Sequence, residues 1–428
     1  MEAHVKLNSK SIPVLVVVVL LFQLAFPYKG WVILLVALGG LWGIGYLWAQ
    51  LLARQLWFKR EVRFGWAHVG DRLEERFTLT NASSFPALWV EIIDQTTMPD
   101  YSASRVTGLG GNSENRWYTK GICTRRGVFT LGPTTLRTGD PFGLYTVTLH
   151  HHASATLTVT PPVVHLPTID VSPGGRAGEG RPRANTFERT VSSSGIRQYV
   201  AGDSFRWVHW PSSARHGSLY VRQFDSMPSG DWWIFIDLDQ RVQAGSGFAA
   251  TEEHAVILAA SLAHRGLQLG RSVGMVAYSQ ELIWLPPRSG DTQQQAILRN
   301  LAVAEAGSHT LTELLSRTQP ASARTSSLII ITASTEASWL DALLPMINRG
   351  AVPTVLLLDP VSFGGTGNSQ GIEQVLTDLG ISHYLIDKDF LDRPEARPGK
   401  QGQWRWRVSP FGRAIAVNQD DVRWKALA

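Results

Sequence analysis

The chain has 428 residues, of which 44% are hydrophobic and 18% are charged, and its formal net charge is +5. This length predicts two or three domains, and the composition excludes a disordered chain. The small positive charge does not by itself indicate nucleic-acid binding. The single cysteine, Cys123, excludes an intramolecular disulfide and a cysteine-ligated zinc site.

Two apolar segments near the N-terminus predict a membrane anchor. Residues 12–26 and 31–52 are almost wholly apolar, and the turn Pro27 to Gly30 separates them. The second segment, at about 22 residues, can span a bilayer as a helix, and the shorter first segment is expected to pair with it in a tight hairpin. A cleaved signal peptide is the alternative for the first segment, but no small-residue cleavage site follows Phe26. Close approach of the two helices is expected at the small residues Gly39, Gly40, Gly43 and Gly45.

Basic residues around the two segments predict their orientation. Lys6 and Lys10 precede the first segment, and only Lys29 lies in the turn. The basic residues that follow the second segment are Arg54, Lys59, Arg60 and Arg63. Because basic flanks stay on the cytoplasmic side, both ends of the hairpin are expected there. The sequence thus predicts a two-pass protein of the cell (inner) membrane that contacts lipid through residues 12–52 and has cytoplasmic soluble domains.

Residues 61–170 predict an all-β domain. Apolar residues alternate with polar ones in short runs, such as "RFTLT" with Phe77 and Leu79 facing inward and "ALWVEIID" with Leu88, Val90 and Ile92 facing inward. Turn signals separate these runs, and no helical pattern interrupts them. An immunoglobulin-like β-sandwich is therefore expected.

Residues 171–230 predict a linker and a short motif, and residues 231–428 predict an α/β domain. The stretch "VSPGGRAGEGRPR" is rich in Gly, Pro and Arg and lacks the Lys-Ser or Lys-Thr of a phosphate-binding loop. From "WWIFIDLDQR" onward, apolar strands alternate with helices, which is typical of a doubly wound, mostly parallel sheet. Thr251 is expected to cap the first of these helices. Ligands of such sheets bind at the carboxyl ends of strands, where Asp237 lies. Residues 1–60 complete the division as the membrane anchor.

Two stretches carry a resemblance to a known family. Arg125 to Tyr145, "RRGVFTLGPTTLRTGDPFGLY", is similar to the Arg-Gly … Asp-Pro-Phe-Gly-Leu stretch of the bacterial and archaeal family called domain of unknown function 58. Gly195 to Asp225, "GIRQYVAGDSFRWVHWPSSARHGSLYVRQFD", resembles that family's signature, Arg-x-Tyr-x-x-Gly-Asp followed by Arg, Trp and Ala-Arg. The resemblance covers nearly the whole chain. It implies two membrane spans, a β-domain and a C-terminal domain resembling the von Willebrand factor A fold.

The resemblance also implies what the protein works with. The family has no general enzymatic activity, so the chain is expected not to be an enzyme. Members are often encoded beside MoxR-type AAA+ ATPases and transglutaminase-like membrane proteins. The implied role is in an ATPase-driven assembly or maturation system at a bacterial membrane, with a MoxR-type ATPase and other membrane proteins as partners.

The von Willebrand A resemblance raises the possibility of a divalent metal. That fold commonly holds a hard ion with Asp-x-Ser-x-Ser after its first strand, a later Thr and an Asp after its fourth strand. Asp237 matches the first position, but Asp239 and Arg241 stand where the serines belong, and Ala333-Ser334 stands where the last Asp belongs. Because Arg241 can pair with a carboxylate in place of the ion, we expect a degenerate site without cofactor. Mg²⁺ held by Asp237 and Asp239 is the alternative. Weak candidates for the middle ligand are Ser308 and Thr310.

The signature stretch interleaves arginines with aromatic residues. Its candidate partner-binding residues are Arg197, Tyr199, Asp203, Arg206, Trp210 and Arg215. A packed junction between domains is the favoured interpretation, a surface for a partner protein is the second, and stacking of single-stranded nucleic acid is disfavoured. Asp203 is expected to cap a short helix.

Two functions from different classes follow. The favoured one is a membrane-anchored scaffold that binds an AAA+ ATPase and no nucleic acid. The alternative is an uncharacterised metal-dependent hydrolase that uses the carboxylates at the end of the first α/β strand. The sequence offers no clear nucleophile beside those carboxylates, which favours the scaffold.

Overall fold

The computed structural model describes residues 2–63, 65–166, 169–174, 193–200, 205, 208–224, 231–322 and 326–392, and the short strands β20 (Trp406–Val408), β21 (Ala414–Ala416) and β22 (Lys425–Ala426). The chain forms two compact units. Met1–Pro162 and Pro398–Ala428 form the first, here the β-unit, and Val163–Arg397 form the second, here the α/β-unit. The sequence-based division instead grouped residues 398–428 with the α/β domain. The C-terminal segment joins the β-unit because β22 pairs with Glu61 and Val62.

The β-unit begins with a strand and two apolar helices. These are β1 (Glu2–Leu7), α1 (Ser11–Ala25) and α2 (Lys29–Gln55). Within the described residues, α2 is the one helix long and apolar enough to cross a membrane, and α1 is a shorter apolar helix. The two helices contact each other near the turn that joins them, where the Phe22 and Trp31 rings stack at 5.6 Å.

The remaining strands of the β-unit form an all-β fold. They are β2 (Leu56–Val62), β3 (Trp66–His68), β4 (Arg72–Asn81), β5 (Ala87–Asp94), β6 (Arg105–Leu109), β7 (Ser113–Ile122), β8 (Gly127–Leu131), β9 (Thr134–Gly139), β10 (Tyr145–His151) and β11 (Ala155–Thr160). Among the described residues, sheets run in the orders β1-β10-β9-β5-β6, β22-β2-β4-β7 and β3-β11-β8. Their inner faces share one apolar core.

The predicted alternation holds along most of these strands. Phe77, Leu79, Val90 and Ile92 are buried, as expected. The prediction for Leu88 was wrong, since this side chain is 57% exposed. A register shift between Ala87 and Val90 interrupts the pairing of β5 with β6, so the period-2 pattern does not extend back to Leu88.

The glycines of α2 do not serve as a contact surface for α1. A Cβ added at Gly39, Gly40 or Gly43 would meet no atom within 4 Å, whereas one at Gly45 would lie 3.4 Å from Asp140 Oδ2. The expectation that these glycines bring the helices together was therefore wrong. Gly45 instead lets α2 approach a turn of the β-unit.

The α/β-unit contains the signature stretch and a strand–helix alternation. Its elements are β12 (Ser193–Gln198), α3 (Trp210–His216), β13 (Tyr220–Phe224), β14 (Trp232–Ile236), α4 (Thr251–Gln268), β15 (Val273–Tyr278), β16 (Leu282–Arg288), α5 (Asp291–Val303), α6 (Leu311–Ser322), β17 (Ser327–Thr332), α7 (Leu340–Asn348), β18 (Val352–Leu358), α8 (Ser369–Asp378) and β19 (Ser382–Ile386). Its main sheet, within the described residues, has the order β16-β15-β14-β17-β18-β19. All neighbours in it are parallel except β15 and β16.

Apolar side chains on both faces of this sheet are buried. Ile234 and Ile236 of β14 pack in a core with α4 and α5, whereas Trp233 and Phe235 pack in a second core with α6, α7 and α8. The predicted mostly parallel sheet, covered on both faces, is therefore confirmed. The expected cap was wrong: α4 begins at Thr251, whose Oγ1 donates to Gln243 Oε1 at 2.7 Å rather than capping the helix.

Candidate functional site

Asp237 lies directly after β14, between the carboxyl ends of β15 and β17. Its backbone N–H donates to the Ile331 carbonyl, which continues the pairing with β17. The carboxylate is buried and accepts the Thr332 hydroxyl on Oδ2 at 2.6 Å and the Asp239 N–H on Oδ1 at 3.1 Å. Burial raises the pKa of Asp237 to about 6, although both hydrogen bonds act in the opposite direction.

Asp239 is held in an ion pair with the arginine two residues later. The Arg241 guanidinium donates from Nε to Oδ1 at 2.9 Å and from Nη2 to Oδ2 at 2.6 Å. The Arg241 backbone N–H also donates to Oδ1 at 3.1 Å. The Asp239 side chain is 6% exposed and that of Arg241 is 62% exposed, so the pair closes the carboxylate from one side while the cation faces solvent.

The loop that carries both aspartates is fixed by a glutamine that the sequence pattern did not indicate. Gln243 Nε2 donates to the Asp237 and Asp239 carbonyls at 3.0 and 3.3 Å. Its Oε1 accepts the Thr251 hydroxyl from the first turn of α4. On the other side, Asp239 forms a bridge with Gly307. No motif spacing marks Gln243, because its role depends on a chain reversal between β14 and α4.

The residues considered as further metal ligands have other partners or lie in solvent. Thr310 Oγ1 accepts the Glu313 N–H at 3.1 Å at the start of α6. Ser308 is exposed in the loop before it. Ser334 is buried, and its N–H donates to Thr332 Oγ1 at 2.9 Å.

This donor set does not fit a divalent cation as it stands. An octahedral ion needs several converging free oxygens, whereas both Asp239 oxygens are taken by Arg241 and both Asp237 oxygens accept hydrogen bonds. The described residues contain no group of three or more His, Cys, Asp or Glu side chains placed to hold a metal. Absence of a cofactor remains a prediction.

A charged cluster lies beside the ion pair at the same edge of the sheet. The His309 ring stacks on Tyr278 at 4.0 Å, and His309 Nδ1 contacts Glu313 Oε2 at 2.8 Å. The hydrogen bond with His309 holds the pKa of Glu313 below its usual value. Arg317 Nη1 donates to the Tyr278 hydroxyl. This edge thus presents alternating charges around Arg241 rather than an open acidic cleft.

The signature stretch folds around a two-stranded ribbon. Strands β12 and β13 pair antiparallel, and α3 lies between them in sequence. Arg197 pairs with Val221 in this ribbon, and Trp210 begins α3. Val221 and Val208 are buried, whereas Arg215 is exposed on α3. The candidates Asp203 and Arg206, and the predicted cap at Asp203, lie outside the described residues.

Two of the described aromatic residues of this stretch are exposed, and Tyr199 and Tyr220 are half-buried. Trp210 and Phe205 are 65% and 64% exposed, and Val200 is 61% exposed. Tyr199 stacks on Phe205 with ring centroids 5.4 Å apart. Helix α3 is capped by His209, whose Nδ1 accepts the Ser212 N–H at 3.3 Å. The described part of the stretch therefore presents apolar side chains on its surface beside the capped helix α3.

A known protein family matches the same stretch and most of the sheet that follows it in sequence. Residues 195–363 match the family described as "Protein of unknown function DUF58". The "Uncharacterized protein YeaD" of Bacillus subtilis (strain 168) is 26% identical over 273 residues, which cover 60% of this chain and 66% of that protein. Residues 195–363 of the chain belong to the DUF58 family.

Other relatives of this DUF58 protein are also uncharacterised. The "Uncharacterized protein Rv1480" of Mycobacterium tuberculosis is 25% identical over 170 residues, covering 38% of this chain and 54% of that protein. The matched regions thus span less than two thirds of these relatives' own lengths. Among solved structures, proximal thread matrix protein 1 from the mussel byssus overlaps with a TM-score of 0.28 and 14% identity, over 36% of this chain and 43% of that one. So low a score supports no conclusion about the DUF58 chain.

The Asp-Pro-Phe-Gly-Leu stretch of this DUF58 protein is a tight turn between β9 and β10. Asp140 accepts the Phe142 N–H on Oδ2 at 2.9 Å and the Tyr145 N–H on Oδ1. Gly143 has a φ of 69°, which favours glycine. The motif thus encodes the local geometry of the turn.

Proposed function

We propose that this DUF58 protein is a membrane-anchored interaction protein of the bacterial cytoplasm that works with a MoxR-type AAA+ ATPase. In this proposal the β-unit is an immunoglobulin-like sandwich, and the α/β-unit is a von Willebrand A-like domain with an altered metal motif. The order of the six-stranded sheet, with one antiparallel edge strand and an aspartate after a central strand, supports the second assignment.

The ion pair between Arg241 and Asp239 carries the proposal. A hydrolase needs a carboxylate that can reach a metal, a water molecule or a substrate. Here Arg241 covers Asp239 with a two-point hydrogen-bonded pair, and Thr332 occupies one oxygen of Asp237. What the edge offers to a partner is an exposed guanidinium among charged neighbours, which suits recognition better than catalysis.

The exposed part of the signature stretch supports a protein partner. Trp and Arg are the residue types that most often dominate binding energy at protein interfaces. Trp210 and Arg215 lie on the same short helix, and both are exposed. This observation supports the partner-surface interpretation for these two residues.

Strand pairing supports a two-pass anchor. The strand before α1 and the strand after α2 both belong to the β-unit, since β1 pairs with β10 and β2 pairs with β4. Because a folded unit lies on one side of a bilayer, this pairing supports a chain that leaves and re-enters on the same side. The basic residues of both flanks favour the cytoplasm as that side.

Affinity purification of the full chain from mild-detergent bacterial membranes tests the proposal. Mass spectrometry would compare the wild type with Trp210→Ala and with the control Leu269→Ala, which removes an apolar side chain of 53% exposure elsewhere in the α/β-unit. We expect a MoxR-type ATPase with the wild type and the control, and a loss of about tenfold or more with Trp210→Ala, as for a dominant interface residue.

Two outcomes would contradict the proposal. If Trp210→Ala retains the ATPase as well as the control does, the signature surface is not the recognition site. If the wild type retains no ATPase, the partnership fails. The hydrolase alternative would then be assayed with and without Mg²⁺.

A further inference from the structure

The base of the helical hairpin, here called the foot, consists of Asn8 to Lys10 before α1 and the part of α2 around Gly45. It contacts the turn between β9 and β10. The Asn8 N–H donates to the Leu144 carbonyl at 2.7 Å, and Asn8 Nδ2 donates to the Gly143 carbonyl at 3.1 Å. Helix α1 starts three residues later, at Ser11. On the other side of the hairpin, Gly45 of α2 lies against Asp140 and Leu144. The turn therefore lies level with the point where the chain enters the hairpin.

The hairpin that extends from this level is short for a bilayer. Helix α1 has 15 residues and is therefore about 22 Å long. The hydrocarbon core of a bilayer is about 30 Å thick. In α2, Gly45, Ala49 and Leu52 are already buried against the β-unit. Hence the hairpin can reach the far side of the membrane only if its foot is drawn into the near interface.

The surface at this foot has the composition of an interfacial anchor. Phe142, at the tip of the turn, is 48% exposed, and Leu88, at the same end of the β-unit, is 57% exposed. Trp48 packs on Phe85 with ring centroids 4.6 Å apart and donates from Nε1 to the Pro86 carbonyl. Exposed Lys6 and Lys10 flank the start of α1. Aromatic residues next to lysines are typical of the headgroup region.

We propose that the hairpin-side end of the β-unit is a lipid-contacting surface, in which Phe142 inserts into the bilayer interface and Lys6 and Lys10 contact anionic headgroups. This inference rests on the proposed membrane anchor, since it is the short hairpin that draws the surface into lipid. In this proposal the Asp140–Leu144 turn also has a role at the membrane. The turn fixes the depth of the β-unit at the membrane.

Depth measurements on the full chain in vesicles of phosphatidylcholine and phosphatidylglycerol test the proposal. A spin label would be attached to Phe142→Cys in a Cys123→Ala background. The control is Ile122→Cys, which replaces an apolar residue that is 58% exposed. Ile122 ends the ten-residue strand β7 and lies at the end of the β-unit remote from the hairpin. We expect oxygen to reach the label at 142 in preference to a water-soluble nickel complex, and the reverse at 122. Leu88→Cys provides a second position at the hairpin end and should behave like 142.

The outcomes separate this inference from the anchor on which it rests. If labels at 142 and 88 are as accessible to nickel as the label at 122, while the protein stays with the vesicles in alkaline carbonate, the lipid-contacting surface is refuted and the anchor stands. If carbonate releases the protein, the anchor fails and this inference fails with it.

Discussion

The free-energy cost of burying the ionised Asp237 carboxylate gives the first prediction. Its pKa is raised from 3.8 to about 6, so the folded protein holds a proton that the unfolded chain releases between these values. Stability should therefore fall as the pH rises from about 4 to 6, by at most about 3 kcal/mol. Asp237→Asn keeps an acceptor for Thr332 and removes the charge, but its amide nitrogen then faces the Asp239 N–H, which costs stability equally at every pH. The variant should therefore lose the fall in unfolding temperature that the wild type shows between pH 4 and pH 7.5. Thermal denaturation of the full chain in detergent measures this fall in both proteins.

Asp378→Asn is the control for this measurement, because it removes a charge from an exposed position of the same unit. It should shift the unfolding temperature little at either pH. A fall in unfolding temperature between pH 4 and pH 7.5 as large in Asp237→Asn as in the wild type would show that ionisation of Asp237 does not destabilise the fold. The prediction that burial destabilises the ionised form of Asp237 would then be wrong.

Arg241 gives the second prediction at the residue scale. Arg241→Ser frees both oxygens of Asp239 and adds a hydroxyl where a metal motif has its second serine. We expect the variant to bind Mg²⁺ or Mn²⁺ in the submillimolar range by titration calorimetry, and the wild type to show no binding there. Arg299→Ser, which also removes an exposed cation, should resemble the wild type. Equal binding by wild type and Arg241→Ser would mean that the arginine does not take the place of an ion.

The candidate site was partly predictable at this scale. The apolar strand that ends on Asp237 indicated both its burial and its position at the edge of the sheet. Spacing also indicated that Arg241 could pair with a carboxylate. Gln243 was not predictable, since its contacts depend on the chain reversal between β14 and α4. The bridge between Asp239 and Gly307 was not predictable either, since it joins loops distant in sequence.

At the scale of elements, strand β2 contains a buried ionic cluster that the sequence did not indicate. Arg60 was grouped with the basic residues that flank the membrane, yet it is 1% exposed. It donates to both oxygens of Glu75 at 2.7 Å and to Asp94 Oδ1 at 2.7 Å. Tyr101 also donates to Glu75, and burial raises the pKa of its hydroxyl. These partners lie on β4, on β5 and in the loop after β5, so no local pattern reveals them.

Removing Arg60 should therefore destabilise the β-unit strongly. Arg60→Met leaves Glu75 and Asp94 buried without their cation, which costs about 3–5 kcal/mol. The control is Lys59→Met on the same strand, since the Lys59 side chain is 57% exposed and its pair with Glu61 is worth at most about 1 kcal/mol. Chemical denaturation of the full chain, followed by tryptophan fluorescence, compares the two. Similar losses in both variants would refute the special role of the buried cluster.

The elements themselves were predictable where one period dominates. Strand β14 and the alternation after it gave correct elements because their apolar runs are long and bounded by turns. Leu88 escaped prediction because a register shift ends the alternation. Strand β1 was also missed, since "EAHVKL" is short and polar and becomes a strand by pairing with β10.

At the scale of the whole molecule, strand pairing and the basic flanks make one joint prediction about topology. Since β1 and β2 lie in one folded unit, we expect Glu2 and Lys59 on the same side of the membrane. Single-cysteine variants at these positions, in a Cys123→Ala background, can be treated with a membrane-impermeant maleimide. Both should react in inside-out bacterial vesicles and neither in intact spheroplasts.

The accessibility of the hairpin tip shows whether the anchor crosses the bilayer or only enters it. Tyr28 lies between α1 and α2 and is 69% exposed, so Tyr28→Cys should react in spheroplasts and not in inside-out vesicles if the hairpin spans. Reaction from neither side would mean that the tip stops within the hydrocarbon, as the short length of α1 permits if the foot stays in water. Reaction of Glu2→Cys and Lys59→Cys from opposite sides would contradict the pairing of β1 with β10, because one folded unit cannot occupy both compartments.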